Sequence, residues 1–154
     1  MSNVNIVEWD EAYRQDFMSL SLEWLEKYVS VEPIDLEMLN DPEGYILSRG
    51  GAIFFARVGE ETVGTVSMLL HSEGVYELAK LAVTEKYKGL KIGNLLMEHC
   101  IQFARDNKAK KIILFTAKTL VAAVSLYHRH GFSEVMLADN KYQEADIRME
   151  LDIT

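Results

Sequence analysis

The spacing of apolar side chains changes along this chain, and the changes divide it into three parts. From Asn3 to Glu8, Val4 and Ile6 alternate with polar residues, which predicts a short strand. Tyr13, Phe17, Leu20, Trp24 and Tyr28 then recur at helical steps, so one apolar stripe runs along a helix that Asp10 is placed to cap. Glu32-Pro33 ends that helix, because the residue before a proline is pushed out of helical geometry. Ile34 to Leu39 predicts a second short helix, Asn40 to Gly44 a turn, and Arg49-Gly50-Gly51 a loop.

The middle part is strand-like. Ala52–Val58 and Thr62–Leu70 flank a turn at Gly59-Glu60-Glu61, and Val75–Val83 follows after His71 to Gly74, so an antiparallel meander is expected. In the last part Ile92, Leu95, Leu96, Cys100, Phe103 and Ala104 form one helical face. Lys111–Thr116 is a strand, Val121–His130 a helix stopped by Gly131, and Phe132–Leu137 and Ile147–Asp152 are strands. A helix connects Val75–Val83 to Lys111–Thr116, which predicts parallel pairing of those two strands. The fold class expected is α+β: a mixed, mostly antiparallel sheet of about seven strands flanked by about four helices.

Composition narrows the possibilities. A chain of 154 residues suits a single domain spanning 1–154. The net charge of -8 argues against a nucleic-acid partner and agrees with a cationic one, such as an amine. A single cysteine, Cys100, permits no internal disulfide and is expected in the core. No basic stretch followed by an apolar core opens the chain, and no apolar run reaches membrane length, so a cytoplasmic protein with no membrane partner is expected. His128 and His130 stand two apart on a helix and face apart, so no metal site is expected. His71 and His99 read as surface residues. Exposed sheet edges near the C-terminal strand are open to pairing into a homodimer.

The segment Thr84 to Asn94 links a strand to a helix start and carries Lys86, Lys88, Lys91, Gly89 and Gly93. A helix N-terminus exposes unpaired N–H groups and partial positive charge, for which phosphate is the usual guest. The glycines allow the backbone to come close to that guest. The Gly-Lys-Ser/Thr ending of a Walker loop is missing, and the glycine spacing is not that of a dinucleotide fingerprint.

Three stretches then carry a resemblance: Glu77-Leu78-Ala79-Lys80-Leu81-Ala82-Val83, Lys88-Gly89-Leu90-Lys91-Ile92-Gly93-Asn94-Leu95-Leu96, and Leu126-Tyr127-His128-Arg129-His130-Gly131-Phe132. Together they resemble the GCN5-related N-acetyltransferase (GNAT) family, most sharply over residues 52 to 137. The family's phosphate loop runs Gln/Arg-x-x-Gly-x-Gly/Ala. Gly93 matches its last glycine, whereas Lys88 replaces the first residue and Lys91 the middle glycine. The resemblance implies acetyl-coenzyme A as co-substrate. Its pantetheine arm would enter a gap beside Leu81, Ala82 and Val83 like an added strand. Its pyrophosphate would lie on Lys88, Gly89, Leu90, Lys91, Ile92, Gly93 and Asn94. Many members carry an asparagine seven residues before the tyrosine; Leu120 stands there, with Thr116 and Thr119 as the nearest polar replacements.

The resemblance also implies roles in the chemistry. Direct transfer needs a neutral amine, and Glu77 is the candidate base, with Tyr76 and Leu78 as apolar neighbours expected to raise its pKa. A water chain is the alternative route for the proton. Tyr127 is the candidate acid for the leaving thiolate, and the backbone N–H of Leu81 a candidate oxyanion donor. Glu23, Trp24 and Glu32 lie on the acceptor side in this family; Trp24 and Tyr28 otherwise read as core. The expected function is N-acetyl transfer to a primary amine of a small molecule in a ternary complex. A peptide or protein acetyltransferase, acting on lysine or an N-terminus, and a non-catalytic coenzyme A-binding module are the alternatives.

Overall fold

Seven strands form one sheet in the order β1-β2-β3-β4-β5-β7-β6 in a computed structural model that describes residues 3–88, 91–137 and 141–153. The strands are β1 (Val4–Glu8), β2 (Ala52–Val58), β3 (Glu61–Ser72), β4 (Val75–Val83), β5 (Lys111–Thr116), β6 (Ser133–Val135) and β7 (Ile147–Asp152). All pairings are antiparallel except β4 with β5, as the connecting helix requires. The helices are α1 (Arg14–Tyr28), α2 (Pro33–Asn40), α3 (Pro42–Tyr45), α4 (Ile92–Asp106) and α5 (Val121–Arg129). The α+β sheet expected from the sequence is therefore observed, with one short helix more than expected.

That extra helix occupies Asn40 to Gly44, expected as a turn. Pro42 sits at its start, where a missing N–H costs nothing, and the Asp41 carboxylate accepts from the Gly44 N–H at 3.0 Å. Asp10 does cap the entry to α1, accepting from Ala12 N–H at 2.9 Å, through a short 3-10 turn at Glu11–Tyr13. Gly131 takes φ 95° and ends α5 as expected. Only Ser133–Val135 of the expected Phe132–Leu137 strand is in the ladder, because β7 pairs with it no further than Val135.

Each face of the sheet has its own core. Leu96, Met97, Cys100 and Ala104 of α4 pack with Val66, Met68, Leu78 and Leu114 on one face, and Tyr127 of α5 joins them. Phe17 and Leu25 of α1 and Met38 and Leu39 of α2 pack with Ile53, Phe55 and Leu69 on the other. Cys100 is buried in the α4-side core as expected, and burial pushes its thiol pKa far up.

One local irregularity prepares the site. β3 and β4 pair regularly from Leu69↔Glu77 to Ser67↔Ala79, then shift register before Thr65↔Ala82. The extra residue is Lys80, which adopts φ 57°. Such a bulge bends its strand. β4 and β5 share a ladder only over Val75–Glu77 and Lys111–Ile113. Beyond that, β4 runs on with β3 to Val83, β5 runs on with β7 to Thr116, and the two diverge.

Candidate functional site

The divergence of β4 and β5 opens two connected spaces. The larger is a groove with a cavity volume of about 980 Å³, lined by Leu81 and Val83 of β4, the first turn of α4, and the Thr119–Ala123 start of α5. Lys88, Lys91 and Arg129 bring positive charge to it, against Glu98. Lys91 is the N-cap of α4 and sits in the left-handed region at φ 62°. That conformation favours glycine, which explains why a glycine is usual there, and Lys91 adopts it with its side chain exposed. Gly93 follows in the first turn. A Cβ there would meet only Leu126 Cδ2, at an ordinary 3.5 Å, so packing within the fold does not demand glycine. The lack of a side chain instead keeps the groove open against the helix N-terminus. A diphosphate on a long, thin arm fits this arrangement of helix end, cations and free strand edge.

The smaller space, about 130 Å³, lies between the sheet and α1, α2 and the segment before β7. Trp24, Leu81, Leu120 and Tyr127 line both spaces and form the passage between them. The Tyr127 ring is buried beside Phe132, with ring centroids 6.1 Å apart. Its hydroxyl has no hydrogen bond among the described residues, and burial pushes its pKa up to about 12. Glu77 lines the small cavity and is 1% exposed. Its Oε1 lies 2.6 Å from His71 Nε2 and accepts from Lys141 Nζ at 2.6 Å, while Oε2 accepts from the Tyr142 hydroxyl at 2.8 Å. Burial alone raises the pKa of this carboxyl, but His71, Lys141 and Tyr142 outweigh it and hold it below the ordinary glutamate value.

A roof spans one side of the cavity. The carboxylate of Glu32, at the start of α2, accepts from the backbone N–H groups of Gln143 (2.8 Å) and Glu144 (3.0 Å). Glu144 in turn accepts from the N–H and hydroxyl of Ser30, at 2.9 and 3.0 Å. The loop between α1 and α2 is thus tied directly to the segment between β6 and β7. Below them, Lys80 is ion-paired with Asp35, both nearly buried, and Tyr142 lies 5.4 Å from the Lys80 ammonium.

The comparison with known sequences decides what this frame is. The sequence model of the Acetyltransferase (GNAT) family matches residues 7–132. The chain belongs to the GNAT acetyltransferase family. N-acetyltransferase 8B of Rattus norvegicus is 32% identical over 112 residues, which is 70% of this chain and 50% of that one. The probable N-acetyltransferase camello of Xenopus tropicalis is 31% identical over 100 residues, 64% of this chain and 46% of that one. The chain spans about half the length of the curated relatives it matches. Among solved structures, a GNAT-family acetyltransferase from Staphylococcus aureus Mu50 superposes with TM-score 0.88 at 22% identity, covering 98% of this chain and 99% of that one. The PaiA N-acetyltransferase of Thermoplasma acidophilum, solved in complex with coenzyme A, superposes with TM-score 0.76 at 14% identity, covering 97% and 99%. At these identities the superpositions show a shared GNAT fold.

Within the GNAT frame, most residues singled out in the sequence surround the two spaces, though not always as expected. Leu81, Val83, Lys88, Lys91, Ile92, Gly93 and Asn94 line the groove, whereas Ala82 and Thr116 line the small cavity. Asn94 Oδ1 is engaged by His130 Nε2 at 2.9 Å. Gly89 and Leu90 lie outside the described residues. Thr119 and Leu120 both line the groove. Lys86 turns away to Glu61 at 3.7 Å. Trp24 packs against the α1-side core as expected and also lines the groove, whereas Tyr28 is an exposed groove residue, its hydroxyl accepting from Lys88 Nζ at 3.1 Å. Glu23 is exposed and outside both spaces, and it ties α1 to the end of β4 through Thr84 Oγ1 (3.1 Å) and Glu85 N–H (3.0 Å). Glu32 lines the small cavity, but its oxygens hold the roof.

One expectation about Glu77 needs correction. Tyr76 and Leu78 do not surround the Glu77 carboxyl: strand alternation turns them into the α4-side core, and the groups that do surround it lower its pKa. His71 is exposed, as expected, but its ring also contacts Glu77, which the sequence did not show. Lys141 and Tyr142 gave no signal in the sequence, standing in a polar loop of no recognisable pattern. Among the described residues no cluster of metal-ligating side chains occurs, and no helix is long and apolar enough to cross a membrane.

Proposed function

We propose that this chain, acting as one domain over residues 1–154, moves an acetyl group from acetyl-coenzyme A to a primary amine of a small molecule. The observation that carries this reading is the passage at Tyr127, where a long cationic groove meets a small, acid-lined cavity. Leu81, Val83, Lys88, Lys91, Gly93 and Asn94 would hold the co-substrate, with Gly89 and Leu90 in the same loop. Bound there, it supplies the activated acetyl thioester.

The chain's own residues do the rest. The strand edge of β4 beyond Glu77 is free of β5, so backbone groups such as the Leu81 N–H are available to a polarised carbonyl. Glu77 stays ionised at neutral pH and takes the proton from an ammonium entering the cavity. Tyr127 stays protonated and donates from its unengaged hydroxyl to the departing thiolate. Trp24, Phe115 and Tyr142 wall the cavity with aromatic surface, and the carboxylates of Glu32, Asp35, Glu77 and Glu144 favour a cation.

The roof favours a small amine over a peptide. A peptide acceptor would lie in a groove beside Glu77, and the Ser30–Glu144 and Glu32–Gln143 bonds cross that side. The alternatives, a peptide acetyltransferase or a coenzyme A module without turnover, separate in one assay. Thiol release is measured from acetyl-coenzyme A with a panel of small primary amines and lysine-bearing peptides. Release with small amines supports the reading. Release with peptides alone, or tight cofactor binding without release across the panel, contradicts it.

A further inference from the structure

Glu77 receives a proton in every cycle of the reaction proposed above, yet it is 1% exposed and faces a roofed cavity. That proton must reach bulk water before the next cycle. Among the described residues, three side chains contact the carboxylate and offer it a route: Lys141, Tyr142 and His71. The Tyr142 phenol holds its proton more tightly still than an ordinary phenol, first because of burial and then because of Glu77 itself. An ammonium is already fully protonated at neutral pH and has nowhere to place another proton. Imidazole is the one side chain of the three that exchanges a proton readily near neutral pH.

The geometry matches that chemistry. Leu69 of β3 stands opposite Glu77 of β4, and His71 follows two residues later, which makes it the diagonal neighbour of Glu77 across the hairpin. Its Nε2 lies 2.6 Å from Oε1, and its side chain is 37% exposed. One end of the ring touches the buried carboxylate and the ring opens to solvent.

We propose that His71 relays the proton from Glu77 to bulk water, so that the Glu77–His71 pair, and not the carboxylate alone, serves as the base. The steps balance. The ammonium of the acceptor gives a proton to the Glu77 carboxylate. With the neutral ring protonated at Nδ1, the carboxylic acid passes its proton to the free Nε2, the imidazolium loses its Nδ1 proton to water, and exchange with water restores the Nδ1–H tautomer. This resolves a tension in the site. A carboxylate that accepts from Lys141 and Tyr142 takes up a proton poorly if it must keep it, but it serves well as a transfer point to a better acceptor 2.6 Å away. Lys141, Tyr142 and, from α3, Tyr45 are the other titratable groups facing this carboxylate, and Lys141 and Tyr142 keep it anionic between transfers.

The proposal rests on the acetyl-transfer reading, and the test separates the two. With an amine that the wild type acetylates, His71→Ala is expected to lower kcat about 100-fold while leaving the KM for acetyl-coenzyme A unchanged. Added imidazole is expected to restore about 10-fold of that loss by taking the vacated place. His71→Gln keeps a hydrogen-bonding group beside Glu77 but cannot cycle a proton, so it is expected to stay slow and unrescued. Wild-type kcat in His71→Gln would show that His71 only anchors Glu77, and failure of imidazole to restore His71→Ala would likewise overturn the relay. A wild type that acetylates no amine sinks the reading of the site, and the relay with it.

Discussion

The two spaces that meet at Tyr127 are built by different means. The groove is made largely of backbone: a free strand edge, a helix N-terminus and a glycine that leaves it clear, with Lys88, Lys91 and Arg129 at its sides. The cavity is made of side chains that hold one another, with Glu77 gripped by His71, Lys141 and Tyr142 and with Glu32 and Glu144 fastening a roof. A backbone-built site recognises a constant ligand and tolerates change in its side chains. A side-chain-built site sets what is accepted, and changes as soon as its network changes. The contrast implies that substitutions in the groove act on cofactor affinity, and those in the cavity on turnover and on choice of amine.

The largest effect should come from the passage itself. Tyr127→Phe removes the unengaged hydroxyl and leaves the ring, so kcat should fall by about 100-fold or more with cofactor affinity nearly unchanged. Steady-state kinetics beside calorimetric titration of coenzyme A checks both halves, and an unchanged kcat would remove Tyr127 from the chemistry. Gly93→Val comes next and belongs to the groove. Only Leu126 stands near the new Cβ, so the fold should hold while coenzyme A binds about 10-fold more weakly, a loss of about 1.4 kcal/mol. Equal loss of thermal stability would mean that the glycine serves packing instead.

Glu32→Gln weakens the roof at the two backbone bonds it accepts, each an interaction of about 1.5–3 kcal/mol while the group is charged. The variant should accept bulkier amines with a modest drop in kcat for small ones, read as a shift in the ratio of kcat/KM values across the amine panel. A smaller effect concerns pH. The folded-state pKa of Glu77 is depressed, so its contribution to stability is complete above the ordinary glutamate value of about 4.3 and is lost as pH falls through the lower folded value. Glu77→Gln should therefore flatten the acid limb of a Tm-against-pH curve, and leave the limb above neutrality unaltered.

The same contrast decides what was legible in the sequence. The groove was, because its parts are contiguous: Leu81 to Asn94 carries the strand edge, the cations and the helix start in one stretch. The parallel pairing of β4 with β5 was also legible from the helix between them, though not that the ladder stops at Glu77, which depends on the bulge at Lys80. The cavity was not. Its contacts join Glu32 to Gln143 and Glu77 to Lys141, residues that only the completed fold brings together. Strand alternation alone does show that Tyr76 and Leu78 cannot share a face with Glu77. The diagonal pairing of His71 with Glu77 needs the hairpin register as well.

A crystal structure with bound coenzyme A tests the arrangement most directly. The pantetheine arm is expected to run along Leu81 to Val83 in the gap between β4 and β5, with the diphosphate on the first turn of α4 and the thiol within reach of the Tyr127 hydroxyl. A cofactor lying elsewhere, or a gap closed by side chains with the thiol far from Tyr127, would contradict it.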